Sequence, residues 1–254
     1  LAAESTQGPR LDGFGRPIPS PVRFPSSAGG AGFKPLADFV HGLGLKFGIH
    51  IMRGIPREAV ARGLPIEGTG LRADEVADRG SVCAWERTMF GVEMSRPGAQ
   101  GWYESLLRLY AGWGVDFIKG DDFGNTPYHR AEVTGLHRAV KGCGREVTLS
   151  LSPGIDAHEV LRVHPHVAQH CDMWRISADI WDKWDNVKYL FGLCSVWSGV
   201  IGPVSFPDAD MLPYGMMGLG NTPTRPTRRS RLTEDEVRTH FTLLAIARSP
   251  LMFG

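Results

Sequence analysis

Acidic side chains follow successive apolar, strand-like segments of this sequence. Asp121 ends the segment 115–121, Asp179 follows the segment 173–176, and Asp210 lies in a loop after a further apolar segment. Two opposed carboxylates suit glycoside hydrolysis, because one attacks the anomeric carbon while the other protonates the leaving oxygen. Retention of configuration requires them about 5–5.5 Å apart. We therefore predict Asp121 and Asp179 as the catalytic pair.

Other polar or aromatic residues near the strand ends are candidates for sugar binding: His50, Lys119, Ser152, Arg175, Asp208, Asp210 and Trp85. Lys119 lies two residues before Asp121, so both side chains leave the strand on one face and the ammonium would help keep the carboxylate ionised. Arg175 could hold a sugar hydroxyl or orient a carboxylate. Trp85 could stack on a sugar ring.

Structural alternatives remain open for several of these residues. Asp179 could be a helix N-cap, Lys119 could form a structural ion pair, and Trp85 could anchor its loop. The basic run Arg225, Arg228, Arg229 and Arg231 is expected to be a solvated face, with contact to an acidic glycan as the alternative.

The elements that would position these residues are strands alternating with helices. Helices are predicted over 33–43, 98–112, 128–140, 156–165, 182–196 and 233–248, and strands over 45–52, 115–119, 147–151, 173–176, 200–201 and from 250. Leu36, Phe39, Val40 and Leu43 would form the buried face of the first helix. The core-facing residues of the helix over 98–112 would be Trp102, Leu106, Leu109, Tyr110 and Trp113. Thr233 and Glu236 have the spacing of a capping box at the start of the last helix. Residues 53–97 read as one long loop, a length that is usually functional.

About six βα units imply a parallel sheet, which a doubly wound fold or a (β/α)8 barrel would both supply. Polar residues follow nearly every strand instead of clustering at one crevice. Barrel enzymes build their active sites in this way. The pattern therefore favours an α/β fold of the (β/α)8 TIM-barrel class.

The amino-acid composition argues against several classes of binding partner. Lys and Arg total 28 against 27 Asp and Glu, which gives no broad attraction for nucleic acid or an anionic membrane. The four cysteines show no metal-binding spacing, and no glycine-rich turn for a phosphate follows a strand. We expect a carbohydrate substrate, no metal and no cofactor. The first ten residues do not resemble a signal peptide. The sequence assigns neither the cellular compartment nor the oligomeric state.

Five motifs resemble glycoside hydrolase family 27, the α-galactosidases and α-N-acetylgalactosaminidases. They occur in the family's order: GLKFGIH at 44–50, VDFIKGD at 115–121, WRISADIWDKW at 174–184, PDADML at 207–212 and SPLM at 249–252. The resemblance implies a retaining mechanism with Asp121 as nucleophile and Asp179 as general acid/base. It also implies that Asp210 binds sugar hydroxyls.

The sequence departs from the family pattern at several positions. His50 replaces a tyrosine, and Phe206-Pro207 replaces Trp-Asn. Phe123 stands where the family often has a cysteine that is disulfide-bonded to the loop after the preceding strand. Cys171 matches a cysteine of a second family disulfide, but its partner position near Leu151 is not a cysteine, so both family disulfides are expected to be absent here. The segment 150–152 corresponds to the strand that selects the C2 substituent, but it does not by itself assign the sugar.

The resemblance places residue 1 just before the family's third strand and residue 254 within the eighth. We therefore expect a loop-rich segment over 1–32 and a partial barrel over 33–254, without the first two strands and the C-terminal β-sandwich. Such a fragment should hydrolyse little. The expected activity is α-galactosidase; alternatives are α-N-acetylgalactosaminidase, isomalto-dextranase, β-L-arabinopyranosidase or a non-catalytic carbohydrate-binding relative.

Overall fold

A computed structural model describes residues 8–124, 127–152, 160–203, 205–218 and 226–253. The chain forms two compact units, one of Leu1–Phe123 with His129–Ser150 and one of Gly124–Tyr128 with Leu151–Gly254. These units do not correspond to the predicted division into a loop-rich segment over 1–32 and a partial barrel over 33–254, which stays a prediction.

The first unit begins with a short 3₁₀ helix, Pro25–Gly30, and continues with a mixture of helices and strands. Its elements are α1 (Lys34–Gly42), β1 (Gly48–Met52), β2 (Ile55–Pro56), α2 (Arg57–Arg62), α3 (Ala73–Val76), β3 (Ala77–Asp78), β4 (Met89–Val92), α4 (Gln100–Gly112), β5 (Phe117–Asp121), α5 (Arg130–Gly142) and β6 (Thr148–Leu151).

The central strands of this unit are parallel and lie in the order β1-β5-β6. In the register of β1 and β5, His50 is opposite Lys119 and Met52 is opposite Asp121. Paired residues of neighbouring strands point to the same face. The register therefore aligns the carboxyl ends of the two strands and brings their polar residues together.

Helix α4 confirms the predicted core face. Trp102, Leu106 and Tyr110 recur every four residues and are almost fully buried. Helix α5 packs against α4. A Cβ at Gly135 of α5 would lie 3.3 Å from Cδ2 of Tyr103 on α4, so the absence of a side chain at this position helps the two helices to pack closely.

The predicted core face of α1 is wrong. Phe39 and Leu43 are 64% and 60% exposed, and Ala37 is the fully buried hydrophobic residue of this helix. Ala37 lies opposite the tight turn at Gly114, where a Cβ would sit 3.5 Å from the Ala37 methyl. The helix therefore approaches its neighbours through its small residue and leaves the larger side chains at the surface.

The predicted loop over 53–97 is also wrong as a description of local structure. It contains α2, α3 and a three-stranded antiparallel sheet in the order β2-β4-β3. These elements have two to six residues each. Segments so short carry too few residues for a periodic pattern.

The second unit comprises α6 (Val160–His170), β7 (Met173–Arg175), α7 (Trp184–Ser198), β8 (Phe206–Asp208), β9 (Met211–Leu212), β10 (Met216–Met217), β11 (Arg228–Arg229), α8 (Glu234–Ile246) and β12 (Met252–Phe253). Strands β7 and β8 are parallel, with Arg175 opposite Asp208. Strand β12 runs parallel to β9, and β10 pairs antiparallel with β11.

Two predictions in this unit had opposite outcomes. The capping box of α8 is confirmed, since Thr233 Oγ1 accepts from Glu236 N at 3.3 Å and Glu236 Oε2 accepts from Thr233 N at 2.7 Å. The strand predicted at 200–201 is wrong, because the strand after α7 is β8. Part of the helix predicted over 156–165 lies outside the described residues, and α6 accounts for the remainder.

None of the described helices is both long and apolar enough to cross a bilayer.

Candidate active site

One group of candidate residues lies at the carboxyl ends of β1 and β5. Asp121 is the last residue of β5, and its Oδ2 lies 3.3 Å from Nε2 of His50 on β1. Lys119 is opposite His50 in the register. The described part of the chain contains no carboxylate within ion-pair distance of Lys119, so its effect on Asp121 stays a prediction.

The backbone around Asp121 orients its carboxylate. The Asp122 N–H donates to Asp121 Oδ1 at 2.8 Å, and the carbonyl of Asp121 accepts from the Arg53 N–H at 2.9 Å. Asp122 has a φ of 67°, in the left-handed region that Asp tolerates better than most residues. The two Asp121 carboxylate oxygens thus have different neighbours, an amide on Oδ1 and an imidazole on Oδ2.

A buried ionic network supports this turn. The Arg53 guanidinium binds Asp122 Oδ2 through Nε at 2.9 Å and Nη2 at 2.8 Å, and it binds Glu132 Oε1 through Nη1 at 2.5 Å. Glu132 Oε2 accepts from the Tyr103 hydroxyl at 2.6 Å and from Val92 N at 3.1 Å. Burial raises the pKa of Asp122 and of Glu132, and the charge of Arg53 opposes both shifts.

Cys83 lies near this turn, and its pKa responds to burial and to residues on both sides. Burial raises the pKa of Cys83 to about 11, so the thiol is protonated at neutral pH. The carboxylate of Asp122 also raises the pKa of the Cys83 thiol, and the backbone N–H groups of Trp85 and Glu86 lower it. The Trp85 ring is half exposed, as a surface for stacking on a sugar would require. All four cysteines have free thiols.

A second group of candidate residues surrounds Arg175, the last residue of β7. The buried guanidinium donates to Asp179 Oδ1 through Nη1 at 2.9 Å and forms an ion pair with Asp210 Oδ2 through Nη2 at 2.9 Å. The contact from Nη1 to Ser152 Oγ is 3.5 Å, at the limit of a hydrogen bond. One rigid cation therefore joins three of the predicted site residues.

The loop after β8 is held by its own acidic residues. Asp210 N donates to Asp208 Oδ1 at 2.8 Å, and Asp210 Oδ2 accepts from Ile180 N at 2.6 Å. Both carboxylates are almost fully buried. Asp210 thus fixes the backbone next to Asp179 as well as Arg175, a contact that the sequence analysis did not predict.

A further ionic contact involves Asp182, three residues after Asp179. Asp182 binds the Arg228 guanidinium through both carboxylate oxygens and accepts from Arg231 N at 2.8 Å. The Arg228 hydrogen bond lowers the pKa of Asp182. The expectation of a solvated basic run is therefore wrong for Arg228, which is committed to a buried partner; Arg225 lies outside the described residues.

The structure distributes the predicted residues between the units. His50, Trp85, Lys119 and Asp121 belong to the first, and Ser152, Arg175, Asp179, Asp208 and Asp210 belong to the second. Sequence reasoning missed Arg53, Glu132 and Asp182 as supports. A polar residue directly after an apolar strand was the available signal for Arg53.

Among residues with described positions, no cluster of three or more His, Cys, Asp or Glu side chains is arranged to hold a metal ion.

Comparison with known proteins places the chain in a family. A family model described as alpha galactosidase A matches residues 67–254. The chain belongs to the α-galactosidase-like glycoside hydrolase family 27. The expected (β/α)8 barrel class is confirmed, because glycoside hydrolase family 27 structures match this fold over nearly the whole chain.

Three relatives illustrate the family's range. A β-L-arabinopyranosidase structure from Geobacillus stearothermophilus is 45% identical, with a TM-score of 0.91 over 96% of this chain and 57% of that one. The rat α-N-acetylgalactosaminidase is 30% identical over 96% of this chain and 48% of its own length. The rice α-galactosidase is 27% identical over 96% of this chain and 45% of its own. The chain thus spans about half the length of these relatives.

Proposed function

We propose that this protein is a retaining glycoside hydrolase that cleaves terminal α-D-galactosides. The observation that carries the proposal is the carboxylate of Asp121, which is oriented on both oxygens at the carboxyl end of a parallel strand. Catalytic groups of barrel enzymes lie at such strand ends. Family membership supports sugar cleavage as the chemistry.

In the first chemical step, Asp121 attacks the anomeric carbon and forms a glycosyl ester as the glycosidic C–O bond breaks. Asp179 donates its proton to the departing oxygen, which leaves as an alcohol. In the second step, Asp179 removes a proton from water, and the water oxygen attacks the same carbon. The ester bond breaks, Asp121 is regenerated as a carboxylate, and the sugar is released with its configuration retained.

The surrounding residues are assigned to binding and orientation. Arg175 positions Asp179, while Asp208 and Asp210 shape the loop that accepts sugar hydroxyls. His50, Lys119 and Ser152 supply donors for the ring hydroxyls, and Trp85 offers an apolar face. These roles rest on the contacts within each unit and on the family resemblance.

A β-L-arabinopyranoside is a second candidate substrate. It has the ring configuration of an α-D-galactoside but lacks the hydroxymethyl group on C5, so the same carboxylate chemistry applies. The specific observation in its favour is the 45% identity to the Geobacillus stearothermophilus β-L-arabinopyranosidase. The 30% identity to the rat enzyme makes an α-N-acetylgalactosaminide a useful third substrate in any test.

The deciding experiment compares the 4-nitrophenyl glycosides of these three sugars as substrates of the full-length protein. The stereochemistry of the first sugar released is followed by proton NMR. We expect turnover of the α-D-galactoside with the α-anomer appearing first. Preference for the arabinoside would select the second candidate, and initial release of the inverted anomer would overturn the retaining mechanism.

Two variants test the catalytic pair in the same assay. Asp121→Asn should abolish turnover, because the amide is a poor nucleophile. Asp38→Asn, which changes an exposed carboxylate in the same unit, is the matched control and should keep wild-type rates. Wild-type activity in Asp121→Asn would refute the assignment of the nucleophile.

A further inference from the structure

We propose that Arg53 is a positioning residue for the nucleophile and that it acts through its buried ion pair with Asp122. The inference rests on the proposed role of Asp121. Arg53 acts on the peptide that carries the Asp121 carboxylate and not on the carboxylate itself.

Arg53 holds the Asp121–Asp122 peptide from two directions. Its backbone N–H donates to the carbonyl oxygen of Asp121 at 2.9 Å. Its guanidinium binds the next side chain, Asp122, at 2.8 and 2.9 Å. These contacts extend the pairing of β1 with β5 by one residue and fix the rotation of the linking peptide.

That rotation determines where the Asp122 N–H points. Asp122 adopts a φ of 67°, in the left-handed region that is unfavourable for most non-glycine residues. In this conformation its N–H lies 2.8 Å from Asp121 Oδ1. The ion pair with Arg53 retains the strained conformation, and the conformation aims the amide at the nucleophile.

Arg53 is itself held rigidly. Its side chain is 2% exposed, and Glu132 binds the far side of the guanidinium while accepting bonds from Tyr103 and Val92. A guanidinium has a planar, fixed set of donors, whereas a lysine ammonium is a point charge on a flexible stem. The network can therefore transmit a defined geometry to Asp122.

The network joins the ends of the neighbouring strands β1 and β5 without a covalent bond. In this chain the thiols are free, and Arg53 joins the segment after β1 to the residue before Phe123. Because the tie is ionic, activity should not change on addition of a reducing agent.

The test compares Arg53→Met and Arg53→Lys with Arg16→Met in the full-length protein. Arg16 is a matched control, since it is also buried in the first unit and bound to two carboxylates, Asp12 and Glu67. We expect Arg53→Met to lower kcat by about 100-fold at a nearly unchanged KM, because misplacing a reacting group by about 1 Å costs about that factor. Arg53→Lys should recover part of the loss.

A second readout follows the nucleophile directly. An activated fluoroglycoside that accumulates the glycosyl-enzyme should label Asp121 more slowly in Arg53→Met, in proportion to the fall in kcat. Arg16→Met should lower the melting temperature but label at the wild-type rate. If Arg53→Met is less stable yet keeps the wild-type kcat and labelling rate per folded molecule, the positioning role is overturned.

If Arg53→Met fails to fold, Asp122→Asn and Asp122→Ala decide the question. Asn keeps the preference for a positive φ and a neutral acceptor, whereas Ala loses both. We expect kcat to fall more in Asp122→Ala than in Asp122→Asn, and equal wild-type rates would overturn the inference. Activity in Asp121→Asn would instead overturn the proposed function, so the two failures are distinguishable.

Discussion

Arg175 and Asp179 form a hydrogen bond of 2.9 Å between a guanidinium that is 4% exposed and a carboxylate that is 59% exposed. The buried partner is fixed by its ion pair with Asp210, so it orients a side chain that solvent would otherwise leave mobile. An exposed carboxylate with a fixed direction suits a group that must exchange protons with both a leaving group and water.

Replacement of Arg175 should affect both activity and stability. Arg175→Met leaves Asp210 buried without its cation, which should lower the free energy of unfolding by about 3 kcal/mol or more. It should also lower kcat/KM by about 100-fold, because Asp179 loses its orientation. Chemical denaturation and steady-state kinetics check the two effects. Arg238→Met, which removes an exposed pair on α8, is the control and should change the stability by less than about 1 kcal/mol.

Asp179→Asn should show the signature of a lost acid. Substrates whose leaving group needs no proton, such as 4-nitrophenyl glycosides, should lose much less of their glycosylation rate than alkyl glycosides. Asp121→Asn should lose both classes alike. The comparison is made by pre-steady-state kinetics, with Asp185→Asn as an exposed neighbour that should behave as wild type. Equal losses on both substrate classes in Asp179→Asn would contradict the acid role.

The contact of Asp182 with Arg228 should stabilise the second unit. Arg228→Met removes both side-chain bonds to Asp182 and leaves that carboxylate buried without its cation. We expect a lower melting temperature than in Arg229→Met, in which the neighbouring exposed arginine is changed. Differential scanning calorimetry measures both. Equal melting temperatures would show that Asp182 needs only the backbone N–H of Arg231.

Asp116 should make the stability depend on acid pH. Its burial opposes ionisation, but Phe47 N–H, His41 and Arg145 outweigh that effect and lower the pKa from 3.8 to about 2. The folded state therefore holds the ionised form more strongly than the unfolded state does. This stabilisation is present above pH 3.8 and is lost as the pH falls towards 2.

This pKa shift contributes about 2 kcal/mol to the free energy of unfolding, because one pKa unit corresponds to about 1.4 kcal/mol. The free energy of unfolding of Asp116→Asn should be lower than that of wild type by about this amount at pH 7, and by less at pH 2.5. Urea unfolding at both pH values measures the difference. Asp38→Asn, on the exposed face of α1, should show no such dependence. A constant difference between wild type and Asp116→Asn at both pH values would argue against the sign of the shift.

Much of the fold was predictable because its signals are local. The apolar runs of β5 and β7, the periodic face of α4 and the capping box at Thr233 each depend on residues within a few positions of one another. Asp121 and Asp179 each follow an apolar run, so the sequence alone named them as candidates. Their catalytic roles stay predictions.

Other features depended on tertiary structure. The sequence predicted a buried Phe39 and a loop over 53–97, but packing through Ala37 and pairing of very short strands decided otherwise. The sequence determined the family, the barrel class and the candidate carboxylates. Only the tertiary structure revealed that Arg53 binds Asp122 and that Asp182 binds Arg228, because partners 69 and 46 residues apart meet only when the intervening chain is folded.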